Sequence, residues 1–291
     1  MIHWEIDYAD ITTIPADPDG KKQHAVEMLN VIDRGTSILV DSVAADDYTA
    51  ESTIFALTQT FLINGLPDTI TLDRDPRFIG GWQGDDFPSA VMRFLLCLNI
   101  SLDICPPRRP DLKPFVERVH RTIQEECIRE HKPTTLEQAK DQLETYRFRY
   151  NTTRPHQGRA CRNQPPYKAF PQLPTLPHLP HTIDPDAWLK SIHGRQFRRR
   201  VQSNGSIKID NRSYYVGKTR RGHLVHLNVN ANERTFRVSH GREVIKTIPI
   251  KGLYDEVLRF EDYFKLMLEE AKTEWRKTKR LVRERRLNWA A

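Results

Sequence analysis

Three carboxylates stand out by where they sit. Asp7 lies inside the run HWEIDYADITTI, beside Ile6 and Tyr8, and strand alternation puts it on the face opposite those two residues. Asp73 ends the apolar run DTITLD and opens the loop Arg74-Asp75-Pro76-Arg77-Phe78. In sheets covered by helices on both faces, ligands favour the carboxyl ends of strands. Glu117 falls in the first turn of a helix, one position off its apolar stripe, with Arg121 one turn later. Carboxylates on separate elements make chemical sense if they converge on Mg²⁺ or Mn²⁺, hard cations that take oxygen ligands. Without a cation, gathered negative charges repel and some stay protonated. Two such ions about 3.5–4 Å apart activate the attacking oxygen and stabilise the leaving oxygen of a phosphoryl transfer. The chain has 38 acidic residues, so chemistry alone leaves other triples open.

The elements that must position these residues follow from periodicity. Residues 3–14 read as a strand, 15–20 as a turn, and 24–32 and 36–43 as two more strands around Asp33-Arg34-Gly35. A helix capped by Thr49 or Ser52 carries Ile54, Leu57 and Phe61 at helical spacing and ends at Gly65 and Pro67. A short buried strand (68–73), a loop to Pro88, a helix (88–98) and a strand (100–105) follow, then helices over 114–131 and 135–151. The order implies a mixed sheet with helices on both faces. Between Arg159 and Pro185 prolines recur at 165, 166, 171, 174, 177, 180 and 185, the composition of an extended, semi-rigid linker. Residues 196–250 hold five or six short runs punctuated by turns, the pattern of a small β-barrel, and 260–287 read as a strongly basic helix.

Charge is divided unevenly. Residues 1–105 hold 6 Lys and Arg against 17 Asp and Glu, a balance of −11, and residues 106–291 hold 39 against 21, a balance of +18. A basic second part predicts a nucleic-acid partner, since neutralised phosphates release counterions. Clustered metal ligands would account for part of the acidity of the first. The four cysteines are far apart, which argues against a cysteine zinc site and gives no disulfide framework. No apolar run approaches the roughly 20 residues of a membrane helix, and the start lacks a signal-peptide layout. The expectation is a cytoplasmic protein without a membrane partner.

The segments HWEIDYAD, TLDRDPRF and PFVERVHRTIQEE, in that order, resemble the three acidic motifs of the DDE transposase/integrase core, a retroviral-integrase-like fold also found in bacterial insertion sequences. Tyr150-Asn151 followed by Arg154-Pro155-His156 resembles the helix end that closes that core. The resemblance covers about residues 1–170 by motif. More loosely, IDNRSYYVG and its surroundings resemble the C-terminal barrel of such enzymes. It implies an α/β ribonuclease-H-like core (a mixed five-stranded sheet with helices on both faces) over 1–158 and a small all-β, DNA-binding barrel over 196–252; composition adds the Pro-rich linker over 159–195 and the basic C-terminal helix over 253–291. It also implies a polynucleotidyl transferase using two Mg²⁺ or Mn²⁺ ions. Water first attacks a phosphodiester at an element's end, and the freed 3′ hydroxyl then attacks target DNA. Asp7 would bridge both ions, Asp73 would hold one and Glu117 the other, with Asp75 the rival of Asp73. Partners implied are transposon-end and target DNA, further copies of the chain in a multimer, and accessory proteins.

Three departures from the family pattern stand out. Between Asp73 and Glu117 lie 43 residues where the family usually has about thirty-five, and the excess is assigned to Gly80–Asp86, since loops grow at small entropic cost. Lys113 stands near where many relatives carry glycine, which brings the loop 106–113 toward phosphate contact. No helix-turn-helix or zinc domain precedes the first strand. A trimmed chain, half of a split protein and a stand-alone core all fit that observation.

DNA contacts are expected from Arg108, Arg109, Lys113, Arg118 and Arg121 beside the carboxylates, and from Arg198, Arg199, Arg200, Lys218, Arg220 and Arg221 in the barrel. Arg154 and His156 either touch DNA or pack the helix end. The basic tail either binds DNA or packs on a partner subunit through Phe264, Leu268 and Trp275. Two other functions compete: a non-catalytic DNA-binding or assembly protein derived from a transposase, and a ribonuclease-H-type nuclease acting on RNA–DNA hybrids.

Overall fold

A computed structural model describes residues 2–14, 26–80, 87–106, 109–210 and 212–289, with side chains for all of these except 110 and 277–289. The turn expected at 15–20, most of the loop expected to absorb the extra spacing (81–86) and Arg108 lie outside the described residues.

The chain opens with β1 (His3–Ile11), β2 (Val26–Asp33) and β3 (Leu39–Ala45). α1 (Ala50–Asn64) follows, started by Thr49 and Ser52, which cap each other's backbone N–H in a reciprocal box. It ends at Gly65, whose φ of 81° favours glycine and where an added Cβ would stand 2.6 Å from Leu176. β4 (Thr69–Leu72), α2 (Pro76–Ile79), α3 (Ala90–Cys97) and β5 (Ser101–Ile104) complete the sheet region. α4 (Pro114–Ile123) continues through a π turn (Gln124–Ile128) into α5 (Arg129–His131), so the helix expected over 114–131 is one helical run with a local widening. α6 (Leu136–Thr152) closes this half.

The five strands form one sheet in the order β3-β2-β1-β4-β5. β1, β2 and β3 are mutually antiparallel, whereas β1–β4 and β4–β5 are parallel. The central strand β1 is buried on both faces. Trp4 and Ile6 enter the core under α1 and α3, and Ile11 enters the second core under α4 and α6. Truncating such a side chain costs about 2–5 kcal/mol.

The Pro-rich stretch departs from the expected spacer. It contains α7 (Pro166–Ala169), β6 (Thr182–Ile183) and a 3₁₀ turn (Ala187–Ile192). It buries Leu176, Ile183, Trp188, Leu189 and Ile192, and Pro177 accepts the N–H of Leu66. Proline fixes φ without forbidding burial, so apolar residues between the prolines hold the segment against the core.

Beyond it lie β7 (Gln196–Arg200), β8 (Ser206–Ile209), β9 (Arg212–Tyr215), β10 (Leu224–Asn230), β11 (Thr235–His240) and β12 (Glu243–Pro249). Four of them form an antiparallel sheet in the order β12-β11-β10-β7, and β8–β9 is a separate hairpin. Among the described residues no ladder closes this sheet on itself. β13 (Leu258–Arg259) pairs with β6, and α8 (Phe260–Trp289) ends the described chain.

α8 packs its first half onto its own chain. Tyr263, Met267 and Ala271 are buried, and Tyr263 stacks on Phe94 of α3 at 6.0 Å. Arg93 reaches from α3 to Asp210 and Glu270 at 3.3 and 3.6 Å, and the ring of Phe87 meets Trp188 and Phe197 edge-on. The C-terminal half is thus joined to the sheet domain by an aromatic and ionic seam. No helix of the described residues is long and apolar enough to cross a membrane.

Candidate active site

Asp7 and Asp73 come together by strand register. β1 and β4 run parallel with Glu5 opposite Thr71, so two residues further on, Asp7 and Asp73 leave neighbouring strands side by side on the same face. Glu5 and Asp7 share that face of β1, which looks toward α4.

Glu5 holds α4 in place. Its buried carboxylate accepts the N–H groups of Phe115 and Val116 through one oxygen, at 3.0 and 2.9 Å, and meets Arg34 at 3.3 Å with the other. The helix has no side-chain cap of its own, since Lys113 at its start makes none. A carboxylate from β1 therefore satisfies the free donors and suits the helix dipole. Burial pushes the Glu5 carboxyl above its ordinary range, and the two N–H donors and Arg34 pull against that. Nothing in the sequence singled out Glu5 for this task, although its shared face with Asp7 was readable from alternation.

Lys113 lies between the aspartates. Its ammonium is 2.7 Å from Asp7 Oδ2 and 3.5 Å from Asp73 Oδ2, and its side chain is 3% exposed. Glu117, one helical turn on, is exposed at the mouth. All three carboxyls are raised above their ordinary values, chiefly by burial. Glu117 is raised further by the charges of Asp7 and Asp73 and lowered by Lys113 and Arg121, so the three groups stand close enough to feel one another. Asp7 also accepts the N–H of Tyr8 at 3.0 Å, and Asp73 that of Asp75 at 2.9 Å.

The rival aspartate has another task. Asp75 caps α2 and forms a two-point pair with Arg77, which also binds Glu27 at 2.7 Å and lies 3.8 Å over the ring of Tyr8. That cluster fixes the loop leaving Asp73. His120, one turn beyond Glu117 on α4, is pushed down to about 4 by burial and by the charge of Lys113.

The expectation of a ready metal-ligand trio needs correction. Among the described residues no three His, Cys, Asp or Glu side chains stand as a group able to hold a metal ion. An ammonium lies between the two aspartates, and Glu117 points to the exposed side. The donor set nevertheless fits a hard cation. Two partly buried carboxylates converge on one positive charge, and a third is at hand. Lys113, expected at DNA phosphate, instead faces inward because burial beside two carboxylates offers it charge neutralisation.

The remaining basic residues divide. Arg109 is exposed and paired with Asp111, and Arg118 and Arg121 are exposed on α4 near Glu117. In the second sheet Arg198, Arg200, Lys218 and Arg221 are exposed. Arg199 is bound to the carbonyl of Lys208 at 2.9 Å, and Arg220 reaches Glu243 at 3.5 Å. Arg154 and His156 serve the helix end. Arg154 donates to both oxygens of Glu126 from one edge of its guanidinium, Nη2 at 2.6 Å and Nε at 2.7 Å. The ring of His156 meets that of Tyr150 edge-on at 4.4 Å and is pushed down to about 4 by burial, so it is neutral near pH 7. Between them Asn151 pairs with both backbone groups of Leu39 at the sheet edge, at 3.0 and 2.9 Å.

The model of the integrase core domain family matches residues 98–166, which contain Glu117 and this closing corner. The chain is 25% identical over 153 residues to the insertion element IS407 uncharacterized 31.7 kDa protein of Burkholderia multivorans, covering 53% of this chain and 50% of that one. It is 26% identical over 141 residues to the insertion element IS476 uncharacterized 39.2 kDa protein of Xanthomonas euvesicatoria, covering 48% of this chain and 38% of that one. The chain thus spans half or less of the length of these relatives. Among solved structures, the HTLV-2 integrase catalytic core domain in complex with magnesium aligns at 13% identity and a TM-score of 0.41, over 58% of this chain and 95% of that one. Together with the sequence motifs, the family match and the insertion-element relatives support the DDE transposase/integrase family for this chain.

Proposed function

We propose that the chain is a DNA transposase or integrase that cuts and joins phosphodiesters with Asp7, Asp73 and Glu117 around Mg²⁺ or Mn²⁺. The observation that carries this reading is the meeting of Asp7 and Asp73, from neighbouring parallel strands, on a single buried positive charge, with Glu117 beside them. Bringing these carboxylates together is costly unless a cation neutralises them, a place the ammonium holds here and a divalent ion would take. When bound, the ions would supply charge neutralisation at the scissile phosphate and activation of the attacking oxygen. Asp7 and Asp73 would hold them from the sheet, and Glu117 would complete the set from α4. Arg118 and Arg121 would orient the phosphates next to the scissile bond, as cations that fix register without reading bases. Arg198, Arg200, Lys218 and Arg221 would track the DNA backbone along the second sheet.

The test is nicking and strand transfer on DNA of the element that encodes the chain, with Mg²⁺ or Mn²⁺ against EDTA. Asp7→Asn, Asp73→Asn and Glu117→Gln should each remove product while DNA binding and folding persist. Product from all three variants would overturn the assignment. One observation favours a second reading, a DNA-binding or assembly protein without catalysis: the lysine already neutralises the two aspartates. Normal DNA binding with no metal-dependent product on any substrate would favour it.

A further inference from the structure

We propose that the ammonium of Lys113 is the resident cation of the metal-free centre, and that a divalent ion and Lys113 exclude each other from the pair Asp7–Asp73. The inference rests on the metal-dependent reading above and concerns how that site is regulated.

A lysine this deeply buried is uncommon unless its charge is matched. The ammonium is in reach of carboxylate oxygens from both neighbouring strands, at 2.7 Å from Asp7 and 3.5 Å from Asp73, and its charge neutralises them. A Mg²⁺ ion needs carboxylate oxygens at about 2.0–2.1 Å. An ammonium on Asp7 Oδ2 would then stand within a few ångströms of a dication, where like charges repel. The two cations cannot share the aspartates.

The displaced side chain has somewhere to go. Lys113 follows the exposed Arg109, Asp111 and Leu112, and its four-carbon stem is anchored at the start of α4, the helix that carries the exposed Arg118 and Arg121. A flexible ammonium released there lies where a DNA phosphate would be held. DNA that captures Lys113 would therefore favour the metal-binding state, and by linkage the metal would favour DNA to the same degree. The lysine ties metal binding to the presence of the nucleic acid and keeps the carboxylates neutralised without it.

The experiment is calorimetric titration of the full chain with Mn²⁺, without and then with a duplex oligonucleotide, for the unaltered chain, Lys113→Met, Lys113→Gln and Asp7→Asn. Lys113→Met should bind Mn²⁺ about tenfold or more tightly without DNA, within the usual range of coupling between sites. DNA should tighten Mn²⁺ binding to the unaltered chain and have little effect on Lys113→Met. Melting gives a second readout. Removing the lysine should lower the melting temperature in EDTA, and Mn²⁺ should restore more of it in Lys113→Met and Lys113→Gln than in the unaltered chain. Equal or weaker Mn²⁺ binding by both lysine variants, with binding still lost in Asp7→Asn, would overturn the exclusion and leave the metal site standing. Mn²⁺ binding that ignores Asp7→Asn would overturn the metal site and this inference together.

Discussion

One oxygen of the Glu5 carboxylate accepts the backbone N–H of Val116 at 2.9 Å and so ties the strand that carries Asp7 to the helix that carries Glu117. Glu5→Ala should leave two buried donors, Phe115 and Val116, without a partner and cost about 1–3 kcal/mol. Hydrogen exchange at those two amides should speed up selectively, and Glu117-dependent Mn²⁺ binding should weaken. Unchanged exchange there would mean the helix start is held by something else.

Asn151 stands in for a strand at the sheet edge, bonded to both the N–H and the carbonyl of Leu39. Asn151→Ala should cost about 2–4 kcal/mol, since two buried backbone groups lose their partners at once. Asn151→Asp keeps the acceptor but sets a buried carboxylate oxygen against the Leu39 carbonyl, so it should cost at least as much as Asn151→Ala. Urea unfolding of the three proteins gives the order directly.

Arg93 joins the two halves of the chain. Arg93→Met should leave the carboxylates of Asp210 and Glu270 facing each other across a buried seam and cost about 3–5 kcal/mol. Limited proteolysis should then cut the segment between the halves sooner than it cuts either half. Equal protection in both proteins would indicate that the aromatic contacts of Phe87 and Tyr263 suffice.

His156 makes stability depend on pH. Burial, and the Arg154 charge beside it, push the imidazole from the ordinary 6.5 down to about 4. Between those values the unfolded chain takes up a proton that the folded chain refuses. The folded state therefore loses stability as pH falls from 6.5 toward 4, by up to about 2–3 kcal/mol from this residue. His156→Phe, which keeps the ring against Tyr150, should flatten the fall in urea midpoint over that range. An unaltered slope would assign the effect to other groups.

Much of this was readable before any coordinates. Alternation puts Asp7 opposite Ile6 and Tyr8, the Thr49 and Ser52 cap marks the start of α1, and Asp73 follows directly on a strand that ends one residue earlier than expected, at Leu72. Period and capping are local signals, so they place a residue on a face or at an end. They do not say which distant side chain arrives opposite. Lys113 was read as facing outward because its partners, Asp7 and Asp73, come from two other elements. The sequence does not decide the role of Arg154 for the same reason: Glu126 meets it only after α6 folds back on the π turn. The proline segment was read from composition, which records stiffness and misses the buried Leu176, Trp188 and Ile192 between the prolines.

The claim that three distant carboxylates share a divalent cation is tested most directly by replacing Mg²⁺ with Fe²⁺ and letting bound iron cut the polypeptide with ascorbate and peroxide. Fragments ending near residues 7, 73 and 117, suppressed by excess Mg²⁺ and absent in Asp7→Asn, are the predicted result. Cleavage elsewhere, or none at these three places in a folded chain, would contradict it.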